Sequence, residues 1–318
     1  MHLYDAYGRK INYLRISLTD RCNLQCFYCR KDNITFYGRD EILSLEEIEF
    51  LISAFYHNFG VKKIRFTGGE PLLRRGVEKL IEGLKDLNLS LNITTNGILL
   101  GEFAEFLSKN NVSVNVSLDT LSPEKFKRIA GSYDLERIID GVDKSIELGI
   151  KLKINTVLLR GVNDSEIFDL IDFAFSRGIE IRFIEFMPFV DELVWRTYFI
   201  SEDEIRNKIE EKYKLFKVED GDSVARYYVL ENGAKIGFIS TVSKPFCHTC
   251  SRVRITSDGG LVLCMFDKFS YPLKRFLRPE PREEELVRFV SSIAELKPKG
   301  FIELKEKQAS FQMIRLGG

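Results

Sequence analysis

The chain has 318 residues, 44% hydrophobic and 30% charged, with 47 Lys and Arg balanced by 47 Asp and Glu. That length is enough for one large domain, or a domain with an appendage, around a sizeable core. The zero net charge excludes the broad basic field of a general nucleic-acid binder. No basic segment followed by an apolar core opens the chain, and no apolar run approaches the roughly 18 residues of a membrane span. A cytoplasmic protein that binds neither membrane nor nucleic acid is expected, and its six cysteines then point to metal or catalysis rather than a disulfide framework.

In chain order, residues 11–19 alternate polar and apolar like a strand and run into a loop with three cysteines. Ser44-Leu-Glu-Glu47 is a capping box that opens a helix to about residue 57. A second strand, 61–66, ends in Thr67-Gly68-Gly69-Glu70-Pro71 and leads into a helix to about residue 87. Strands at 89–95 (closed by Asn96-Gly97), 112–118, 150–159 and 179–186 alternate with helices at 102–109, within 123–148 and at 165–177. Six such alternations argue for parallel βα units. They are too few for a closed eight-stranded barrel, so an α/β fold is expected, an open partial (βα)6 barrel or a doubly wound sheet, with the active site at the strand C-terminal ends. The cysteine loop, the Gly-Gly-Glu-Pro turn, Thr95-Asn96-Gly97 and Ser117-Leu-Asp119 all fall there. After Pro188 the rhythm changes. A helix starts at Ser201-Glu-Asp-Glu204, and Asn232-Gly233 and Asp258-Gly259-Gly260 mark hairpins between 224–230 and 234–240 and between 252–256 and 261–266. A helix at 282–296 precedes the Gly317-Gly318 end. The expected division is a barrel over residues 1–190 and a small β-rich domain over 191–318.

Cys22, Cys26 and Cys29 have C-x3-C-x2-C spacing, so one loop brings three thiolates to a small centre. Three soft ligands suit an iron-sulfur cluster. A four-iron cubane normally takes four cysteines, so a triplet leaves one iron open for an outside ligand. Structural zinc would show two C-x2-C pairs or a Cys/His mixture, and no histidine lies between Leu3 and Tyr56. An odd triplet cannot pair internally as disulfides. Cys247-His-Thr-Cys250 with Cys264, the last on the far strand of a predicted hairpin, makes a second triplet. Zinc is a more serious rival there, with His248 as a fourth ligand, although a ring adjacent to Cys247 struggles to reach the same ion.

Arg252 and Arg254 lie two apart on a predicted strand and share a face, with Val253 and Ile255 opposite. Lys63 with Arg65, Arg15 with Ser17 and Lys153 with Asn155 repeat that spacing on three other strands. Strands of a parallel sheet usually read as near-continuous apolar runs. Strand ends in water would explain any one pair, but the set reads better as a deep positive site. Arginine forks match phosphate oxygens, so a polyphosphate-bearing small substrate held between two metal centres is expected. The chain has no G-x4-G-K-[ST] loop, which excludes a P-loop NTPase.

The run from Arg15 to Cys29, Arg15-Ile-Ser-Leu-Thr-Asp-Arg-Cys22-Asn-Leu-Gln-Cys26-Phe-Tyr28-Cys29, resembles the signature of radical S-adenosylmethionine (SAM) enzymes. Further motifs are Thr67-Gly-Gly-Glu-Pro-Leu-Leu-Arg74, Ser117-Leu-Asp119, Lys153-Ile-Asn155, Arg182-Phe-Ile-Glu-Phe-Met-Pro188, the C-x2-C-x-R-x-R run from Cys247 to Arg254 and the Gly-Gly end. With these, the chain resembles the GTP 3',8-cyclase family of molybdenum cofactor biosynthesis nearly from end to end. The resemblance implies a 4Fe-4S cluster on Cys22, Cys26 and Cys29 that binds SAM at its fourth iron, with Tyr28, Gly69, Thr95, Ser117 and Met187 cradling SAM. It implies a second 4Fe-4S cluster on Cys247, Cys250 and Cys264, whose open iron meets the guanine of GTP. Arg15, Lys63, Arg65, Lys153, Arg252 and Arg254 would contact GTP, chiefly its phosphates. A 5'-deoxyadenosyl radical would take the ribose 3'-hydrogen, and closure on guanine C8 would give (8S)-3',8-cyclo-7,8-dihydroguanosine 5'-triphosphate. Arg15 and the Gly317-Gly318 tail would support catalysis. An electron-donating reductant, the next-step cyclic pyranopterin monophosphate synthase and a second copy in a homodimer are the implied partners. One departure is Arg30-Lys31, where the family usually has Met-Pro. Two other readings stay open. One is another two-cluster radical SAM enzyme such as a peptide maturase, although those usually carry more C-terminal cysteines. The other is a non-catalytic iron-sulfur or zinc protein.

Overall fold

The computed structural model describes residues 2–30, 34–219, 223–304 and 313–317. A ribbon of β1 (Leu3–Tyr4) and β2 (Lys10–Ile11) precedes six strands that carry the predicted units. These are β3 (Tyr13–Ser17), β4 (Lys63–Thr67), β5 (Ser90–Thr95), β6 (Ser113–Ser117), β7 (Leu152–Leu158) and β8 (Glu180–Glu185). Between them run α1 (Leu45–Phe59), α2 (Val77–Gly83), α3 (Leu100–Lys109), α4 (Pro123–Ala130), α5 (Leu135–Glu147) and α6 (Ile167–Ser176). The six strands pair in parallel in chain order, which makes a partial (βα)6 barrel. The first strand is shorter than predicted, because Ile11 pairs into the ribbon opposite Leu3.

After α7 (Glu192–Tyr198) and α8 (Glu202–Glu210), the C-terminal strands build no sheet of their own. β11 (Lys235–Ile239) joins β8 in parallel, and β12 (Arg252–Ile255) joins β3 in parallel at the opposite edge. Outside β11 lie antiparallel β10 (Arg226–Leu230) and β9 (Leu215–Val218); outside β12 lie β13 (Gly260–Val262) and β14 (Tyr271–Pro272). The ladder is therefore continuous across residue 190. β13 stops at Val262, so Cys264 sits in the turn after the strand rather than on it, a turn closed by Asp267 N donating to the Cys264 carbonyl at 3.0 Å. α9 (Glu283–Ala294), α10 (Phe301–Leu304) and α11 (Met313–Leu316) complete the described elements.

Alternation along the strands decides what faces where. Leu14, Ile16, Ile64, Phe66, Val114, Val116, Ile154, Ile181 and Phe183 are buried and share one core with Ile48, Leu51, Ile52 and Phe55 of α1. Each such side chain contributes about 1.5–3 kcal/mol on burial. The intervening positions, Tyr13, Arg15, Ser17, Lys63, Arg65, Thr67, Asn115 and Arg182, are polar and point to the other face. α1 starts where Ser44 accepts from Glu47 N and Glu47 accepts from Ser44 N, the predicted capping box, and it stops at Gly60 with φ 67.

The cysteine loop is held by backbone pairing that continues past β3 and β4. Leu18 N donates to Thr67 O (2.9 Å), Gly69 N to Thr19 O (2.7 Å) and Glu70 N to Arg21 O (2.8 Å). This approach requires glycine at position 69, because a Cβ there would lie 2.2 Å from Arg21 O. Gly69→Ala is therefore expected to lower the denaturant-derived unfolding free energy by roughly 1–3 kcal/mol, and unchanged stability would mean that the loop moves aside freely.

Candidate active site

The first cysteine triplet opens onto a cavity of ≈ 1000 Å³ at the C-terminal ends of the barrel strands. Cys22, Cys26, Cys29, Tyr28, Gly69, Thr95, Ser117 and Met187 all line it, so every residue singled out for the first cluster and SAM comes to one chamber. Leu24 N and Asn96 Nδ2 approach the Cys22 sulfur at 3.4 and 3.6 Å. Burial, with repulsion among the three sulfurs, pushes Cys26 well above the ordinary thiol range. Burial, with the Glu70 carboxylate nearby, pushes Cys22 up to about 11, and burial with Cys22 and Asp119 pushes Cys29 up to about 12. Three thiols that cannot ionise together without a cation suit a metal centre, since a coordinating metal removes the proton outright. Glu70 fixes the far wall, accepting from Thr95 Oγ1 (2.8 Å), Asn96 N (2.7 Å) and Leu72 N (3.0 Å). Tyr28 donates to Asp119 Oδ2 at 2.5 Å, and Val157 N donates to Oδ1 at 2.8 Å.

Below this chamber the inward side chains form a positive belt. Strand register sets Arg254 beside Arg15, Arg15 beside Arg65, and Asn155 beside Arg182. Adjacent strands lie about 4.8 Å apart, so the guanidiniums are crowded. Burial and the neighbouring Arg254 hold Arg15 well below its usual value, and burial with Arg252 brings Arg254 down to about 10. Tyr13 reports the same field: burial would raise its phenol, yet Arg65, Arg15 and Arg252 pull it below the ordinary range. Among the described residues no carboxylate pairs with Arg65, Arg182, Arg252 or Arg254. Arg65 donates to Thr94 Oγ1 (3.2 Å) and Asn92 Oδ1 (3.5 Å), and Arg182 Nη2 donates to Asn115 Oδ1 (2.7 Å). The buried Nε atoms of Arg65 and Arg182 and Asn115 Nδ2 have no partner, which is the donor surplus an anionic ligand would satisfy. Lys63 stands beside Tyr13 at the N-terminal rim. Lys153 is at that rim too, but its ammonium is tied to Glu180 (2.5 Å) and lies 3.4 Å from Tyr227 Oη.

The second triplet, Cys247, Cys250 and Cys264, lines a cavity of ≈ 490 Å³ together with Arg252, Arg254, Met265 and Phe266. Here the charge is of opposite character. Burial would raise Cys250, but Lys297 and Arg252 bring it down to about 6, whereas burial leaves Cys264 raised. His248 is exposed and does not line the cavity. Among the described residues no three Cys, His, Asp or Glu side chains converge tightly enough to share one ion. Three thiols spread around a cavity suit a cluster, in which separate irons meet separate sulfurs.

The C-terminal tail joins the two chambers. Arg254 Nη1 donates to Gly317 O (2.7 Å) and Leu316 O (3.3 Å), while Met313 lines the first cavity. Gly317 has φ +70, and a Cβ there would sit 2.0 Å from Thr67 Oγ1, so the tail seats only with glycine. Cys29, Cys247 and Cys264 pack against one apolar cluster that includes Phe266, Met313 and Leu316. Gly318 and Lys31 lie outside the described residues; Arg30 stacks over Phe36 at 5.1 Å. Sequence reasoning missed Arg182, Asp119 and Lys297 as site residues. Arg182 carried the signal used for Lys153, a cation inside an apolar strand, and Asp119 sat in a quoted strand-end motif.

A parallel partial barrel with a C-x3-C-x2-C loop after its first strand defines a class, and the chain matches the model of the Radical SAM superfamily over residues 16–174 and that of Molybdenum Cofactor Synthesis C over residues 179–302. In fold it is similar to Streptococcus suis SuiB bound to S-adenosylmethionine (TM-score 0.64, 15% identity, 98% of this chain and 73% of that one). It is 40% identical to the GTP 3',8-cyclase of Nitrobacter winogradskyi over 94% of this chain and 89% of that protein. It is 43% identical to that of Syntrophomonas wolfei (89% and 90%) and 38% identical to that of Saccharophagus degradans (99% and 98%). The chain belongs to the GTP 3',8-cyclase family. Among the described residues no helix is long and apolar enough to cross a membrane.

Two outcomes follow from this geometry. Burial raises Asp119 from 3.8 to about 6, so between those values the folded chain binds its proton more tightly than the unfolded chain. Its ionisation therefore costs stability as pH rises through that window. Asp119→Asn should remove this loss, and wild type should fall relative to the variant from pH 3.8 to about 6; parallel stability curves would place Asp119 in a polar setting. Gly317→Ala should eject the tail, with faster proteolytic cleavage beyond Leu304 and global unfolding changed by less than about 0.5 kcal/mol; unaltered cleavage would show that the tail tolerates the side chain.

Proposed function

We propose that this chain converts GTP to its 3',8-cyclised triphosphate in molybdenum cofactor biosynthesis, using two 4Fe-4S clusters and SAM. The observation that carries the reading is the belt of arginines in register from Arg254 through Arg15 to Arg65, in which Arg65, Arg182, Arg252 and Arg254 have no carboxylate partner among the described residues, lying between two cysteine triplets of which Cys29, Cys247 and Cys264 meet one apolar cluster. Bound on Cys22, Cys26 and Cys29, a cluster with SAM at its open iron supplies one-electron cleavage of SAM and, through it, removal of the ribose 3'-hydrogen.

The chain's own residues bind, orient and exclude water. Arg254, Arg15, Arg65 and Arg182 hold the triphosphate, with Arg252, Lys63 and Lys153 toward the rim. Lys153 exchanges Glu180 for phosphate when the nucleotide enters. Cys247, Cys250 and Cys264 hold the second cluster, against which the guanine rests. Tyr28, held by Asp119, borders SAM with Gly69, Thr95, Ser117 and Met187. The Gly317-Gly318 tail closes the space between the two centres, and Arg15 and Arg254 keep it there. A soluble reductant supplies the electron in the cytoplasm, and cyclic pyranopterin monophosphate synthase takes the product.

Anaerobic, reduced protein given SAM and GTP should form 5'-deoxyadenosine and consume GTP together, whereas 5'-deoxyadenosine formed without GTP loss would defeat the reading. Arg182→Met should weaken GTP binding by about 1.5–3 kcal/mol, roughly 10- to 100-fold, and should weaken guanosine binding far less. Equal effects on both ligands would place Arg182 away from the phosphates.

A further inference from the structure

Lys297 is 2% exposed and has no carboxylate partner among the described residues. Its Nζ donates to Arg252 O at 2.7 Å and Leu263 O at 2.5 Å, carbonyls two residues after Cys250 and one before Cys264. The titratable groups that act on it are Cys250 and Cys264, which favour its charge, and the cations Arg9 and Arg252, which oppose it. A buried ammonium without a counter-charge is costly, and among the described residues the groups placed to offset this one are the sulfurs of Cys250 and Cys264. Arg9 performs the matching task for the third cysteine. Its Nη1 donates to Cys247 O (2.7 Å) and Lys299 O (2.8 Å), its Nη2 donates to Pro298 O (2.7 Å), and Asp5 fixes its Nε at 2.6 Å. The segment between these cations wraps the same sulfur. Phe301 N lies 3.3 Å from Cys247 Sγ, and a Cβ on Gly300 would sit 2.3 Å from Cys247 Cβ.

We infer that Lys297 and Arg9 are positioning residues for the second metal centre: two buried cations, reached from opposite ends of the chain, that fix the backbone of all three cysteines and offset their thiolate charge. The inference rests on the reading of Cys247, Cys250 and Cys264 as cluster ligands. It assigns a role to residues 297–301, none of which lines either cavity. Outer partners of this kind typically change metal affinity 10- to 100-fold when removed. Removing a positive charge beside a cluster also makes its reduction harder.

The test uses reconstituted full-length protein. Wild type should hold about eight irons per chain, about four per triplet. In Lys297→Met the irons of the second centre should be lost to a chelator at least about 10-fold faster, while those on Cys22, Cys26 and Cys29 leave at the wild-type rate. The midpoint potential of the second centre should move to more negative values and return toward wild type in Lys297→Arg. A wild-type chelation rate and potential in Lys297→Met overturn the inference. Wild type that holds only four irons, all lost in Cys22→Ser, overturns the cluster reading instead. Should Lys297→Met fail to fold, Arg9→Gln is read the same way: at least about 10-fold faster loss from the second centre alone supports the inference, and wild-type loss overturns it.

Discussion

Everything in this molecule turns on concentrating positive charge inside a sheet. Arg254, Arg15 and Arg65 stand side by side in register, and Arg182 faces them from β8. Their mutual repulsion in a partly dry interior opposes folding. The opposite face of the same strands offsets it. Leu14, Ile16, Ile64, Phe66 and Val253 are all but fully buried and lock the backbone to the helices. Burying five such side chains gains on the order of 10 kcal/mol, which lets the inner face carry residues chosen for a ligand rather than for cohesion. A folded state that tolerates guanidiniums crowded in this way gains affinity from any polyanion that enters, because the desolvation cost has been met in folding.

The same constraint explains why the C-terminal strands join the barrel sheet instead of standing apart. An appendage on a linker would leave Arg252 and Arg254 free to drift from the belt. Parallel pairing of β12 with β3 fixes Arg254 opposite Arg15 and carries Cys250 to the strand's entry. At the other edge, Glu185 accepts from Glu202 N, Val242 N and Ser243 N, each at 2.9 Å, and Arg226 and Ser240 bind the buried Glu202. This carboxylate network fastens β8 to the segment that leads toward the second cysteines.

What could be read from the sequence was whatever is local. The loop that carries the first three cysteines, the Gly-Gly-Glu-Pro turn, the capping box at Ser44 and the six βα units depend on neighbours within a few residues, and all form as the pattern suggests. Which cations share a face across strands depends on strand order, which periodicity does not encode. Thus Arg252 and Arg254 were recognisable as a pair, whereas their place beside Arg15 was not. Cys264 was put on a strand because Leu261 to Phe266 is apolar, yet burial against the Phe266 and Met313 cluster serves a turn equally well. Lys297 had no signal at all: a lysine just past a helix end reads as a solvated charge complementing the dipole, and only the fold shows it beneath the second cysteines.

The two cysteine sets differ in electrostatic surroundings, and that difference orients the ligand. The first chamber holds the carboxyls of Glu70 and Asp119, both pushed up by burial, to about 7 and about 6, because no cation offsets them. The second is bordered by Arg252, Arg254 and Lys297. A molecule with a negative tail meets a potential that rises from the first chamber toward β12, β3 and β4, so the tail settles among the arginines and the uncharged end is left toward the cysteines. Reversal would set phosphates against Asp119 and Glu185, which line the first cavity and whose carboxylate charge repels them. The positive-φ glycine at position 317 lies between Thr67 and Arg254, where the two surroundings meet. A side chain there would meet Thr67 Oγ1 at 2.0 Å, which is the physical reason for a residue without one at this place.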